Sequence, residues 1–103
     1  MKFVAVTACP AGLAHTFMGA AALKNAAKRL GVDIKVETQG AMGITNELKI
    51  NEISEADVVI FAADTKVTKV ERFDNKPIIK VPVSETLKNP EKIIKDAIAA
   101  VNS

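Results

Sequence analysis

The run Val58–Ala63 constrains the fold of this chain most, because its six consecutive residues are all apolar. A strand without apolar and polar alternation is buried on both faces, and such strands occur in parallel sheets enclosed by helices. The segment Lys2–Ala8 indicates a second buried strand. The sequence therefore predicts an α/β fold in which both strands lie at the centre of a parallel sheet.

The rest of the chain alternates strands with helices at short intervals, without repeats or linkers. Further strands are predicted over residues 33–38 and 77–83. A helix is expected to begin near Thr16, and another at Pro90 with Asn89 as its N-cap. The first helix has apolar residues at helical spacing, namely Phe17, Ala20, Leu23, Ala27 and Leu30.

These elements predict a doubly wound, four-stranded parallel sheet of strand order 2-1-3-4, with helices on both faces. The strand over 33–38 is expected at an edge, with Lys35 and Glu37 on its exposed side. Pro82 is expected at the end of its strand or on an edge of the sheet, because it has no N–H. The first and last helices should share one face, and the short helical turns in 50–55 and 66–73 should cover the other.

The 103 residues are enough for a single domain, 1–103. The net charge of +2 gives no bulk attraction to nucleic acid or to a membrane surface. A single cysteine forms no internal disulfide, so we expect a cytoplasmic protein. No apolar run approaches the roughly 20 residues of a spanning helix, so no membrane insertion is expected.

In strand order 2-1-3-4 the winding reverses between the two central strands, and ligands bind at the carboxyl edge beside such a reversal. Cys9 follows the first strand at this point. The loop over 38–44 and Asp64 should border the same crevice. A thiolate and a phosphate are both stabilised at the N-terminus of a helix, which the segment after Cys9 leads into.

The chemistry of residues 9–16 is narrowed by elimination. A redox pair needs a second cysteine, and a structural zinc site needs about four ligands. The glycine patterns of nucleotide-binding loops do not occur. A nucleophilic thiol in an anion-binding backbone loop remains, without metal or cofactor. The spacing is similar to the phosphate loop of low-molecular-weight tyrosine phosphatases, but His15 stands where those enzymes have arginine.

Three sequence segments are distinctive, namely TACPAGLAHTFM over 7–18, ETQG over 37–40 and ADVVIFAAD over 56–64. Together they closely resemble the enzyme IIB domain of the bacterial sugar phosphotransferase system, fructose type. The resemblance implies that Cys9 accepts a phosphoryl group from a phosphohistidine of enzyme IIA and passes it to a sugar held by the membrane enzyme IIC. It further implies a cytoplasmic domain that docks at the inner face of the membrane. The family usually has threonine where this chain has Ala11.

On this hypothesis Cys9 is the nucleophile, and backbone N–H groups from Ala11 to Thr16 hold the phosphoryl oxygens. The predicted phosphate-binding loop consists of Pro10, Ala11, Gly12, Leu13, Ala14, His15 and Thr16. Candidates for the rim or for partner contacts are Phe17, Met18, Gln39, Gly40, Met42 and Asp64.

Simpler interpretations stay open for several of these residues. Cys9 could be a buried small residue, and His15 could only fill the loop. Asp64 is more typical of a turn than of a catalytic acid. Two other functions are a cysteine phosphatase or arsenate-reductase-like enzyme, and an RNA-binding module that uses residues 40–43 as a GxxG clamp.

Overall fold

The computed structural model describes residues 1–9, 13–40 and 43–102 and shows a five-stranded sheet with helices on both faces. The strands are β1 (Lys2–Ala8), β2 (Asp33–Gly40), β3 (Gly43–Thr45), β4 (Val58–Ala63) and β5 (Ile78–Val81). The helices are α1 (Leu13–Arg29), α2 (Ile50–Glu55), α3 (Val83–Lys88) and α4 (Pro90–Asn102), and a 3-10 helix spans Val70–Phe73.

The strand order is β3-β2-β1-β4-β5, in which every neighbouring pair is parallel except β2 and β3. The predicted order of the four parallel strands is confirmed. The prediction that the second strand forms the edge is wrong, because β3 pairs with its end. The chain turns back so that Gly40 lies opposite Gly43, whose φ of 106° favours glycine.

The two faces of the sheet are covered as the sequence predicted. On one face, Phe3 and Ile60 pack with Leu23 of α1 and Ile94 of α4. On the other face, Val4, Val6, Val59 and Phe61 of the sheet pack with Ile53 of α2 and Phe73 of the 3-10 helix. The cores on both faces hold β1 and β4 at the centre of the molecule.

Helix α3 is an element that the sequence analysis missed. The strand predicted over 77–83 ends at Val81, and Pro82 is the N-cap of α3. The Asp64 carboxylate accepts a hydrogen bond from the N–H of Val83 at 3.2 Å. This partner lies 19 residues away in the sequence, so no local pattern indicates that a helix starts here.

Candidate functional site

Cys9 lies directly after β1, at the carboxyl edge of the sheet. The last residue of β1, Ala8, lies between Gln39 on β2 and Ala63 on β4. The thiol is free, and Cys9 is 6% exposed. The winding of the sheet reverses beside β1, and Cys9 directly follows this strand. Cys9 therefore lies at the edge where the sequence analysis predicts a ligand-binding crevice.

Four of the seven residues of the predicted phosphate-binding loop belong to the first turn of α1. The helix begins at Leu13, three residues earlier than predicted, so Ala14, His15 and Thr16 are also helical. Pro10, Ala11 and Gly12 lie outside the described residues. The first four N–H groups of a helix have no partner within it, and the helix dipole makes this end positive. The backbone after Cys9 therefore offers donors to an anion.

Thr16 contributes a second feature to this end of α1. Its side chain is fully buried, and its Oγ1 is the one buried side-chain polar atom without a hydrogen-bond partner among the described residues. Its carbonyl oxygen accepts a hydrogen bond from Thr7 Oγ1 at 3.1 Å, which joins α1 to β1. A buried hydroxyl without a partner costs about 1–3 kcal/mol, and a hydrogen bond to a bound anion would remove that cost.

The predicted rim residues occupy different environments. Phe17 and Met18 are 45% and 54% exposed on α1. Asp64 is exposed, and its carboxylate caps α3 through the N–H of Val83. Gly40 ends β2, opposite Gly43 of an antiparallel hairpin.

Two further observations concern the segment over 37–43. Met42 lies outside the described residues. Gln39 is 7% exposed, and its amide is bonded to Glu37 and Thr68. A GxxG clamp for RNA joins two helices, whereas the two glycines here belong to neighbouring strands.

Glu37 anchors a buried polar network that sequence reasoning missed. It is fully buried, and Arg72 binds its two carboxylate oxygens at 2.7 and 2.9 Å. The N–H of Leu48 and the amide of Gln39 donate to it at 2.8 and 2.6 Å. The prediction that Glu37 lies on an exposed side is wrong, because a residue 35 positions further along the chain covers it.

The electrostatics of this network favour the ionised forms of both Glu37 and Arg72. Burial alone would raise the pKa of Glu37, but the hydrogen bonds from Arg72, Gln39 and Leu48, together with the positive charge of Arg72, lower it. The hydrogen bond to Glu37 is the main cause that raises the pKa of Arg72. Arg72 also lies over the ring of Phe73, 4.9 Å from its centroid. The sequence of β2 alone does not predict the ion pair between Glu37 and Arg72.

The described residues provide no membrane span and no metal centre. None of their helices is both long and apolar enough to cross a bilayer. They contain no group of three or more histidine, cysteine, aspartate or glutamate side chains that could hold a metal ion.

The fold and the site together define a class, an α/β domain with a cysteine at the turn from a central parallel strand to a helix. The sequence model of one family, described as "PTS system, Lactose/Cellobiose specific IIB subunit", matches residues 4–96. The chain belongs to the enzyme IIB family of the phosphotransferase system, and several of its relatives are named as fructose-specific or fructose-like.

The relatives include a chain of similar length and a much longer one. The "PTS system fructose-like EIIB component 2" of Escherichia coli K12 is 46% identical over 90% of this chain and 88% of its own length. The "PTS system fructose-specific EIIABC component" of Bacillus subtilis is 50% identical over 94% of this chain, which spans 15% of that protein. The solved enzyme IIB subunit of E. coli K12 superposes with a TM-score of 0.90 at 40% identity, covering 99% and 97% of the two chains.

Proposed function

We propose that this protein carries a phosphoryl group on Cys9 between enzyme IIA and a sugar bound by enzyme IIC. The sulfur of Cys9 attacks the phosphorus of a phosphohistidine, an S–P bond forms as the N–P bond breaks, and the thiol proton ends on the imidazole. In the second step a sugar hydroxyl attacks the phosphorus, the S–P bond breaks, and the hydroxyl proton returns to sulfur. Both steps conserve charge and need no metal or cofactor.

The observation that carries this proposal is the place of Cys9, between the end of β1 and the first turn of α1. The N–H groups of that turn would supply donors for phosphoryl oxygens, as would the hydroxyl of Thr16, which has no partner among the described residues. In such a site, catalysis consists of positioning and charge stabilisation rather than proton transfer. Pro10, Ala11 and Gly12 would complete the cradle, and His15 would add a hydrogen bond.

The positions of the chain's two arginines favour transfer of the phosphoryl group to another molecule over its hydrolysis. A cysteine phosphatase clamps the phosphoryl group with a guanidinium group, which binds two oxygens at once. Arg72 already donates to Glu37 and to the carbonyl oxygens of Leu48 and Lys69. Arg29 is the last residue of α1, at the opposite end of the helix from Cys9, and it pairs with Glu91 at 2.6 Å. Neither supplies a guanidinium group to the cradle.

The role in the system follows from the relatives by analogy. Residues 1–103 would form one IIB domain that acts at the cytoplasmic face of the membrane. The relatives' names make fructose or a related hexose the expected final acceptor. Phe17 and Met18 are exposed next to the cradle and would contact a partner domain.

The test is intact mass after incubation with a phosphohistidine-bearing enzyme IIA. We expect a gain of about 80 Da, one phosphoryl group, located on Cys9 by fragment masses. Cys9→Ser should show no gain under the same conditions, because the oxygen nucleophile is not ionised at neutral pH. Phosphorylation of the serine variant, or of another residue in the unchanged protein, would contradict the proposal. Rapid loss of the label to water would favour the phosphatase alternative.

A further inference from the structure

Residues 64–69, here called the rim segment, cross the end of β1. At one end, the N–H of Asp64 donates to the carbonyl oxygen of Ala8 at 2.9 Å. At the other end, Thr68 donates its N–H to Gln39 Oε1 at 2.9 Å and accepts from Gln39 Nε2 at 3.2 Å. Because β1 lies between β4 and β2, a segment joined to both neighbours passes the strand end that leads to Cys9.

The rim segment lies on the face of the sheet opposite α1. Gln39 is the register partner of Ala8, so the two side chains point to the same face, which Phe61 shares. On the other face, Thr7 donates to the carbonyl oxygen of Thr16 in α1. The end of β1 is therefore held from both sides, by α1 and by the rim segment.

The buried ion pair holds the rim segment in place. Besides binding Glu37, the guanidinium group of Arg72 donates to the carbonyl oxygens of Lys69 at 2.9 Å and Thr68 at 3.4 Å. Glu37 in turn accepts from the amide of Gln39, which orients it toward Thr68. A buried ion pair adds little stability over apolar side chains of similar volume. Its specific consequence here is the fixed conformation of the rim segment.

We propose that the rim segment is a fixed wall of the phosphoryl site and that Gln39, Glu37 and Arg72 are positioning residues for Cys9. Their effect on transfer rests on the function proposed above. They touch no reacting atom, but they hold the strand end from which the nucleophile projects. A displacement of about 1 Å at a reacting group can reduce the rate 100-fold, so a loosened wall slows transfer.

The test variant is Gln39→Leu, which removes both bonds to Thr68 and the bond to Glu37, but leaves Glu37 paired with Arg72. The matched control is Lys76→Met. Lys76 donates two 2.9 Å hydrogen bonds to the carbonyl oxygens of Ser54 and Ala56, at the amino edge of the sheet. Both variants lose two side-chain bonds to backbone, but only Gln39→Leu loses them next to Cys9.

Two readouts separate the wall from the reaction. Amide hydrogen exchange at Asp64 reports how firmly the rim segment is held, whether or not Cys9 is phosphorylated. We expect the exchange rate at Asp64 to increase about tenfold or more in Gln39→Leu, and to stay unchanged in Lys76→Met. At saturating phosphorylated enzyme IIA, we expect the maximal rate of acceptance per folded molecule to fall about tenfold or more, with the half-saturating donor concentration unchanged.

Every other result of these measurements contradicts a specific part of the proposal. Unchanged exchange at Asp64 shows that Gln39 does not hold the segment. Faster exchange with an unchanged maximal rate shows that the segment does not position Cys9. An equal loss of rate in Lys76→Met shows a general effect of destabilisation. If the unaltered protein takes up no phosphoryl group, the proposed function fails, and the claim about transfer fails with it, while exchange at Asp64 still tests the wall.

Discussion

Arg72 matters at the residue scale because it neutralises a carboxylate that is fully buried in the sheet. Removing one member of a buried pair leaves an uncompensated charge, so Arg72→Leu should lower the free energy of unfolding by about 3–5 kcal/mol at neutral pH. Urea denaturation measures this change. As the control, Glu37→Leu/Arg72→Leu should be more stable than Arg72→Leu alone, since no charge remains buried. A double variant as unstable as the single one would contradict this explanation.

The same pair makes stability depend on pH. The pKa of Glu37 is lowered in the folded protein. The stability that the ionised Glu37 contributes is therefore present above the unfolded pKa of about 4.3, and it is lost as the pH falls through the lower pKa of the folded state. In Arg72→Leu, burial without the guanidinium group should instead raise that pKa. The difference in stability between the two proteins should therefore narrow in acid. Denaturation curves at neutral pH and near pH 4 test this expectation, and a constant difference would count against it.

The sequence could not reveal this residue-scale chemistry. The alternation of Ile34, Lys35, Val36 and Glu37 is typical of a strand with one exposed side, and Lys35 is indeed exposed. Glu37 differs because Leu48 and Arg72 cover it, and both come from later segments of the chain. A pattern within β2 carries no information on such partners.

At the element scale, α1 and α3 approach each other closely at Gly19. A Cβ at this position would lie 2.7 Å from Thr86 Oγ1, and that hydroxyl is fixed by a 2.6 Å hydrogen bond to the carbonyl oxygen of Val83. Alanine favours a helix over glycine by about 1 kcal/mol. We nevertheless expect Gly19→Ala to destabilise the protein by about 1–3 kcal/mol, because overpacking outweighs this propensity.

Thermal unfolding of Gly19→Ala in two backgrounds tests this cause. With Thr86→Ala present, the hydroxyl is gone and the other contacts of the added Cβ lie beyond 3.4 Å, so the substitution should cost little. The same loss in both backgrounds would show that the close approach to Thr86 is not the cause.

Elements with strong local patterns were predictable, and those defined by distant contacts were not. The apolar spacing of α1 and the uninterrupted β4 identified both, although α1 begins three residues before Thr16. Helix α3 depends on a cap from Asp64, and β3 is three residues long and exists through its pairing with β2. The same holds for the candidate site. The order of the elements predicted the position of Cys9, whereas the rim segment depends on contacts between distant residues and was not predicted.

At the scale of the whole molecule, the parallel core places the candidate site on the strands with partners on both sides. β1 pairs with β2 and β4, and β4 pairs with β1 and β5. Both strands are buried almost throughout, whereas every residue of β3 is exposed or half-buried and β5 alternates between the two states. The strand order was predictable because two apolar runs had to occupy the centre.

This arrangement predicts a gradient of amide hydrogen exchange across the sheet. Amides of β1 and β4 should exchange only through global unfolding, with free energies equal to that from urea denaturation under the same conditions. Amides of β3 should exchange fastest, and those of β5 at intermediate rates, because edge strands open without disrupting either core. Exchange of β1 at a lower free energy than β5 would mean that the strand leading to Cys9 opens locally. Cys9 would then lack the rigid support that a fixed nucleophile requires.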